Sequence, residues 1–198
     1  LRLYRFTEPN HYYFDEVYHA VTAKAYSDNN PAPYNPFSPA PKEGTAYDWL
    51  HPPLAKLIQA GSINIFGDGP IGWRLPSVIF GSAIIPATFF LALILFGPLA
   101  AIFASTVIAF ENLTFVMGRI TMNDVFITCF TLVAFIFAAL YIKSKKTSDL
   151  LFVSVFLGFA FASKWTGLYS VAAVFVFILI VDYIRKNLSL KILVLLVI

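Results

Sequence analysis

The chain has 198 residues, of which 59% are hydrophobic and 13% are charged, and its formal net charge is +3. Because a soluble domain contains about 45–50% apolar and about 25% charged residues, this composition excludes a disordered chain and argues against a water-soluble globule. The single cysteine, Cys129, excludes an intrachain disulfide framework and a CxxC metal site. The composition indicates a protein that lies in a membrane.

Residues 1–76 form the polar part of the chain and are rich in proline. One helix is expected from about residue 15 to about residue 27, and a second from Pro52 and Pro53 to about residue 66. The apolar residues of the second helix recur at helical spacing, which is typical of an amphipathic helix at a membrane interface. Five prolines between residues 29 and 44 predict a stiff, extended loop between the two helices.

From Ser77 onward the chain consists of apolar runs separated by short polar breaks. Since backbone groups in lipid must bond to one another, these runs are predicted to be helices. Two of them are about long enough to cross a hydrocarbon core of about 30 Å. Two runs of 13 residues are ambiguous: they are either spans lengthened by polar neighbours or helices buried in a bundle. The runs are 77–96, 98–110, 125–142, 150–162, 168–181 and 190–198.

The predicted fold class is therefore all-α, a polytopic helical membrane protein. Residues 1–76 are expected to form a first extracytoplasmic loop with interfacial amphipathic helices, and residues 77–198 a partial transmembrane bundle. We expect the chain to be part of a longer membrane protein, because it starts without methionine and stops inside an apolar run.

The basic residues between the runs predict the orientation of the chain. One cluster lies at residues 143–146, and the other comprises Arg185, Lys186 and Lys191. Two runs separate the clusters, so both lie on one side, which the positive-inside rule assigns to the cytoplasm. Three runs separate Ser77 from the first cluster, which places residues 1–76 on the extracytoplasmic face. The unusual charged residues then gather at that face: Asp15, Glu16, Arg74, Glu111, Arg119, Asp124 and Lys164.

The adjacent acids Asp15 and Glu16 follow three aromatic residues beside the membrane. One interpretation is an N-terminal helix cap, since the helix dipole favours carboxylates there. The other is a general base with a neighbour that orients it. Adjacent helical residues point in different directions, so the two acids are expected to have different roles.

The candidate cationic residues each have a structural and a functional interpretation. His51 and Lys56 lie on either side of a helix N-terminus that begins with two prolines. In one interpretation, the helix N-terminus and a nearby cation form an anion-binding site, and in the other His51 only caps the helix. Arg74 follows a tryptophan and is either a membrane-interface anchor or a ligand for an anion. Lys164 lies on the outer face, where positive-inside statistics disfavour lysine, and this favours a dedicated anionic partner.

Arg119 and Asp124 flank a short polar turn near the membrane. An ionisable residue at membrane depth indicates a functional site by default, but Arg119 and Asp124 could equally form a structural ion pair. Cations suit a phosphate group, and a carboxylate suits removal of a proton from a hydroxyl. Together these groups fit glycosyl transfer from a lipid-phosphate sugar, with cations stabilising the departing phosphate.

Five motifs in this order resemble those of the protein O-mannosyltransferases. They are FDEVY at residues 14–18, HPPLAKL at 51–57, WRLP at 73–76, the pattern of Glu111, Asn112, Arg119 and Asp124, and KWTGLY at 164–169. The resemblance covers nearly the whole chain. The proline-rich stretch at 29–44 is longer than the spacing expected in eukaryotic members and is similar to bacterial or archaeal relatives.

The resemblance implies a metal-independent, inverting transfer of mannose from a dolichyl or polyprenyl phosphate to Ser/Thr hydroxyls of proteins. It implies that Asp15 is the base, that Glu16 assists acceptor or base positioning, and that no further cofactor or nucleic acid takes part. It also implies a multi-pass protein of the prokaryotic plasma membrane, or of the endoplasmic reticulum membrane in a eukaryote. The donor phosphate and sugar are expected to be surrounded by His51, Lys56, Arg74, Arg119, Asp124 and Lys164.

Three other functions are compatible with parts of the sequence. A related transferase could move the sugar to a lipid or cell-wall glycan. A transporter segment would use intramembrane charges as a substrate path, but it predicts charges spread through the membrane depth. A structural subunit would use the charges only as anchors, and in that case Asp15→Asn would be silent.

Overall fold

The computed structural model describes residues 1–184, and the predicted run at 190–198, the basic residues Arg185, Lys186 and Lys191 and the end of the chain lie outside this part. The described residues form helices and loops without strands, which confirms the all-α prediction. The helices are α1 (Glu16–Ser27), α2 (Leu54–Phe66), α3 (Pro70–Phe96), α4 (Pro98–Phe110), α5 (Asn112–Met117), α6 (Asp124–Ser144), α7 (Thr147–Ser163) and α8 (Gly167–Ile184).

The first two helices agree with the predictions to within two residues. Pro53 occupies the N-cap position of α2, so the proline pair lies just before the helix instead of in its first turn. The loop between α1 and α2 contains one short 3-10 turn, Ala32–Tyr34, and is otherwise irregular, as its prolines predict.

Helix α3 is longer than predicted because it begins at Pro70 and not near Ser77. Proline is well suited to a first helical turn, and the helix also accommodates Pro76 and Pro86 in its interior. Arg74 therefore lies inside α3, and the change from polar to apolar sequence at residues 76 and 77 falls within one continuous helix.

Helix α5 was not predicted. The side chain of Glu111 caps it by accepting hydrogen bonds from the backbone N–H groups of Leu113 and Thr114, at 2.8 and 2.6 Å. These are two of the donors that a helix start leaves without intrahelical partners. A hydrogen bond from the Thr114 side chain, together with these two backbone bonds, holds the pKa of the Glu111 carboxyl below its usual value.

Helices α3 to α8 form a bundle with two distinct ends. At one end, Lys164 after α7 contacts Asp124 at the start of α6. At the other end, Lys143 near the end of α6 donates to the carbonyl of Ile94 near the end of α3, and Lys145 pairs with Asp182 of α8. We call the end with Lys164 the site end and the end with Lys145 the opposite end.

Within residues 1–184, three helices are long and apolar enough to cross a membrane by length and composition: α3, α6 and α8. The shorter helices α4 and α7 run back between the same two ends. Their 13 and 17 residues correspond to about 20 and 25 Å at about 1.5 Å per residue. The two ambiguous runs are therefore helices that traverse most of the bundle.

Three hydrophobic clusters hold these elements together. One joins α6, α7 and α8 through buried side chains such as Val153, Val174 and Ile178. The second joins α2 and α3 to α6 and α7, with Phe126 and Ile84 at its centre. The third packs α1 against α2 and α3, so the first polar segment is fixed onto the site end of the bundle.

Candidate functional site

A cavity of about 390 Å³ opens at the site end of the bundle. Three of the predicted site residues line it: Asp15, Asp124 and Lys164. The rest of its wall consists of two threonines and apolar side chains from α3, α5, α6 and the segment before α6. These are Ile84, Leu113, Thr114, Met117, Met122, Val125 and Thr128. The cavity therefore has a charged part and an apolar part, and we call it the donor cavity for the function proposed below.

Asp15 stands at the N-cap position of α1, but its side chain makes no capping hydrogen bond. The predicted position of Asp15 at the helix start is confirmed, whereas its side chain does not cap the helix by a hydrogen bond. The carboxylate is partly exposed and faces the donor cavity. It lies where a bound hydroxyl group could reach it.

Lys164 and Asp124 form an ion pair with an Nζ–Oδ1 distance of 2.7 Å. The anionic partner expected for Lys164 is thus a residue of α6, and the alternative pairing of Arg119 with Asp124 is wrong. Among the described residues, the ammonium group makes this one hydrogen bond out of the three it can donate. The Lys164 side chain is 19% exposed, so it has donors available to an anion in the cavity.

Glu16 lies next to Asp15 in the chain but has entirely different surroundings. Its side chain is fully buried and accepts hydrogen bonds on both carboxylate oxygens. The donors are the Arg74 guanidinium at 2.7 and 2.6 Å, the Tyr13 backbone N–H at 3.0 Å, and the backbone N–H and hydroxyl of Thr121 at 2.9 and 3.1 Å. Glu16 therefore joins three distant segments of the chain.

Arg74 is fully buried, which excludes the interpretation of a side chain that anchors at the membrane surface. Its remaining N–H groups donate to three backbone carbonyls of the first segment, those of Phe6, Pro9 and His11, at 3.0–3.1 Å. With the two bonds to Glu16, all five donors of the guanidinium are used. The structure therefore places Arg74 behind the donor cavity, where it holds residues 6–16 onto α3.

A second buried polar cluster surrounds Asp48, a residue that the sequence analysis missed. His19 Nδ1 lies 3.0 Å and Lys56 Nζ 3.1 Å from Asp48 Oδ2, and all three side chains are buried. Lys56 also donates to the carbonyls of Asp48 and His51. Its three donors are thus engaged within the protein, and the structure does not bring it to the donor cavity.

Opposing effects act on the Asp48 carboxyl. Burial raises its pKa, but the hydrogen bond from His19 and the charge of Lys56 outweigh burial and hold the pKa well below the usual value. The carboxylate is therefore ionised at neutral pH. Asn123, the residue before Asp124, contacts both His19 and Asp48, at 3.3 and 3.5 Å, so the cluster fixes the start of α6 against α1.

His51 is partly exposed, and its Nδ1 atom is buried without a hydrogen-bond partner among the described residues. Burial lowers the pKa of the imidazole below its usual value and outweighs the charge of Asp48, which raises that pKa. His51 borders a separate cavity, which is also lined by Trp165.

Arg119 lies away from the donor cavity. It donates to the carbonyl of Tyr4 at 2.6 Å, and its guanidinium carbon is 5.3 Å from the centre of the Phe115 ring. The neighbouring Arg2 stacks on the same ring and also donates to the carbonyl of Thr114. These contacts join the start of the chain to α5.

The structure thus brings Asp15, Asp124 and Lys164 into one cavity and gives Glu16, Arg74, Lys56 and Arg119 partners within the protein. His19, Asp48, Thr121 and Asn123 were missed. The sequence held one usable signal, since His19 lies one helical turn after Asp15 and shares its face of α1. The other three stand in loops without a recognisable spacing.

The arrangement can hold an amphipathic anion. A carboxylate and a lysine ammonium lie in the charged part of the donor cavity, and apolar side chains extend from it along α3 and α5. A phosphate group would bind at the ammonium, and a hydrocarbon chain would contact the apolar wall. A hydroxyl group bound at Asp15 would lose its proton to a carboxylate that has no capping role.

The fold and site define an all-helical membrane protein with an amphipathic cavity at one end of its bundle. Residues 50–198 match the family model described as dolichyl-phosphate-mannose-protein mannosyltransferase. The chain belongs to this family. The match begins after Asp15 and Glu16, and it includes Lys56, Asp124 and Lys164.

Curated relatives carry the corresponding name. The chain is 32% identical over 152 residues to a polyprenol-phosphate-mannose–protein mannosyltransferase of Corynebacterium glutamicum, covering 62% of this chain and 28% of the relative. It is 26% identical over 164 residues to the enzyme of that name in two strains of Mycolicibacterium smegmatis, covering 70% of this chain and 31% of each relative. The chain therefore spans under a third of the length of these relatives. No solved structure matches the chain.

Proposed function

We propose that the protein transfers mannose from a polyprenyl phosphate carrier to Ser/Thr hydroxyls of proteins. The observation that carries this proposal is the donor cavity, in which Asp15 and Lys164 lie beside an apolar wall. A polyprenyl phosphate has the same division into an anionic group and a hydrocarbon chain. The family match and the names of the bacterial relatives support the choice of sugar and carrier.

The proposed reaction is a single displacement at the sugar. The Asp15 carboxylate accepts the proton of the acceptor hydroxyl while that oxygen attacks C1 of mannose. The bond from C1 to the phosphate oxygen breaks, and the lipid phosphate leaves with the electron pair. Lys164 stabilises the negative charge that develops on it. Attack opposite to the leaving group inverts the configuration at C1.

The other predicted site residues receive positioning roles in this proposal. Glu16 and Arg74 hold the segment before α1 against α3, which fixes Asp15 at the cavity. Asp124 orients the Lys164 ammonium through their ion pair. Lys56 and the Asp48 cluster set the distance between α1, α2 and the start of α6.

The site is proposed to lie at the extracytoplasmic face of a bacterial plasma membrane, with α3, α4, α6, α7 and α8 crossing that membrane. The lysines at 143, 145 and 146 lie at the opposite end of the bundle, which the positive-inside rule assigns to the cytoplasm. A transporter is disfavoured, since within the described chain the charged residues of α3, α6, α7 and α8 lie in the first two or the last two helical turns.

A transfer assay tests the proposal in membranes that contain the full-length protein. Radiolabelled polyprenyl-phosphate mannose and a Ser/Thr peptide are supplied, with and without EDTA. We expect label on the peptide at the same rate in both samples, and no label with Asp15→Asn. Label on lipid alone would still indicate a glycosyltransferase, but it would contradict the proposal that the acceptor is a protein. Loss of transfer with EDTA would contradict metal-independent transfer.

A further inference from the structure

A second cavity of about 200 Å³ lies between the proline-rich loop, the segment before α2 and the turn between α7 and α8. Its walls include Tyr26, Tyr34, Trp49, His51, Pro52 and Trp165, and we call it the aromatic cleft. No charged side chain of the described residues lines it. The cleft is a concave apolar surface at the site end of the bundle.

The walls of the aromatic cleft are held in place although they are exposed. The rings of Tyr26 and Tyr34 stack with their centres 5.1 Å apart. The Trp165 indole N–H donates to the carbonyl of Leu50 at 2.6 Å, and this bond joins the α7–α8 turn to the segment before α2. Trp49 and Trp165 are each 54% exposed and Tyr34 is 66% exposed. The aromatic faces are therefore preorganised and accessible.

The aromatic cleft and the donor cavity are neighbours. Lys164 lines the donor cavity and the next residue, Trp165, lines the aromatic cleft. Consecutive Cα atoms are about 3.8 Å apart, so the two cavities adjoin at this turn. A polypeptide with a hydroxyl in the donor cavity has its flanking residues within reach of the cleft.

We propose that the aromatic cleft binds an extended segment of the acceptor polypeptide beside the hydroxyl that receives the sugar. Grooves lined by aromatic rings bind extended peptides through apolar and proline side chains. This inference rests on the function proposed above, and it adds a preference for acceptor sites with apolar or proline neighbours.

Kinetics with two acceptors test the inference in the full-length protein. One acceptor is a ten-residue peptide with apolar and proline residues around a single threonine, and the other is N-acetylthreonine amide, which lacks flanking residues. Trp49→Ala and Tyr34→Ala are expected to raise KM for the peptide by about five- to tenfold, with kcat and the donor KM unchanged. The same variants should leave KM for the blocked threonine unchanged.

Phe37→Ala is the matched control, because Phe37 is 91% exposed in the same loop and does not line the cleft. It should leave KM for both acceptors unchanged. Equal KM values of wild type and the Trp49 and Tyr34 variants for the peptide would overturn the inference. An equal rise for both acceptors would also overturn it, since the cleft would then act on the donor cavity and not on the peptide flanks.

Photo-crosslinking gives a readout that does not need transfer. The peptide carries a benzophenone next to its threonine, and the labelled residues are identified by mass spectrometry. We expect label in residues 26–53 or at Trp165, and its loss when unlabelled peptide competes. Label elsewhere, or preferential labelling of the cleft by a photoreactive lipid, would overturn the peptide assignment in favour of a membrane anchor. If no acceptor receives sugar but this crosslink forms, the proposed activity fails and the peptide site stands.

Discussion

Replacing Glu16 with glutamine is expected to destabilise the protein strongly. Glu16 and Arg74 are both fully buried and share two short hydrogen bonds. The substitution leaves the Arg74 charge without its counter-ion in the interior, and breaking a buried pair in this way costs about 3–5 kcal/mol. Because folded proteins are stable by about 5–15 kcal/mol, this is a large part of the free energy of unfolding.

Thermal unfolding of the purified full-length protein in detergent measures this effect. The matched control is Asp28→Asn, which breaks the exposed pair between Lys24 and Asp28 one turn apart on α1. That pair is expected to contribute about 0–1 kcal/mol. The double variant Glu16→Gln/Arg74→Gln should lose less than the sum of the two single changes, because the pair is coupled.

Equal unfolding temperatures of Glu16→Gln and Asp28→Asn would refute this reasoning. They would mean that the charge of Glu16 adds nothing to the attachment of α1.

Three further predictions concern the cavity and its support. Lys164→Ala should raise the donor KM by about tenfold or more with a smaller effect on the acceptor KM, measured by steady-state transfer. Asp48→Asn should lower the unfolding temperature. Because the pKa of Asp48 is lower in the folded state than in the unfolded state, its contribution to the free energy of unfolding is fully present above about pH 4 and declines as the pH falls further. In thermal scans, the difference in unfolding temperature between wild type and Asp48→Asn should therefore shrink below about pH 4. Gly81→Ala should lower the free energy of unfolding, because the added Cβ would lie 2.7 Å from the Cα of Gly118. Gly158→Ala adds its Cβ in open space on α7, so it should leave the free energy of unfolding unchanged or raise it by about 1 kcal/mol.

The apolar runs predicted most of the fold because lipid permits few backbone structures. Each predicted run within the described chain corresponds to a helix. The start of α3 was missed because Gly72 and Pro76 are unfavourable in helices and Arg74 interrupts the apolar run. The buried partners of Arg74 stabilise the helix there. Helix α5 was missed because six residues are too few to show a helical periodicity, and the helix depends on the cap from Glu111.

Three of the eight site residues predicted from the sequence line the donor cavity. Asp15, Asp124 and Lys164 were expected at one membrane face, and the structure places them in one cavity. The pair between Glu16 and Arg74 joins residues 58 positions apart. No local pattern predicts such a contact, because it depends on how α1 packs against α3.

The Asp48 cluster shows the same limit. A single aspartate between Tyr47 and Trp49 has no motif, and its importance arises from His19 and Lys56, which reach it from two different helices. The sequence analysis predicted that Lys56 binds the phosphate or sugar of the lipid-linked substrate. In the structure, the Lys56 ammonium group instead donates its three hydrogen bonds to Asp48 and His51.

The role of Asp15 as general base is tested most directly by kcat at saturating donor and acceptor. The measurement compares the full-length wild type with Asp15→Asn and with Asp149→Asn, the same change at the opposite end of the bundle. The account predicts that kcat of Asp15→Asn falls by about 10²–10⁴-fold with the donor KM unchanged, and that Asp149→Asn retains the wild-type kcat. A wild-type kcat in Asp15→Asn would contradict the assignment of Asp15 as the base.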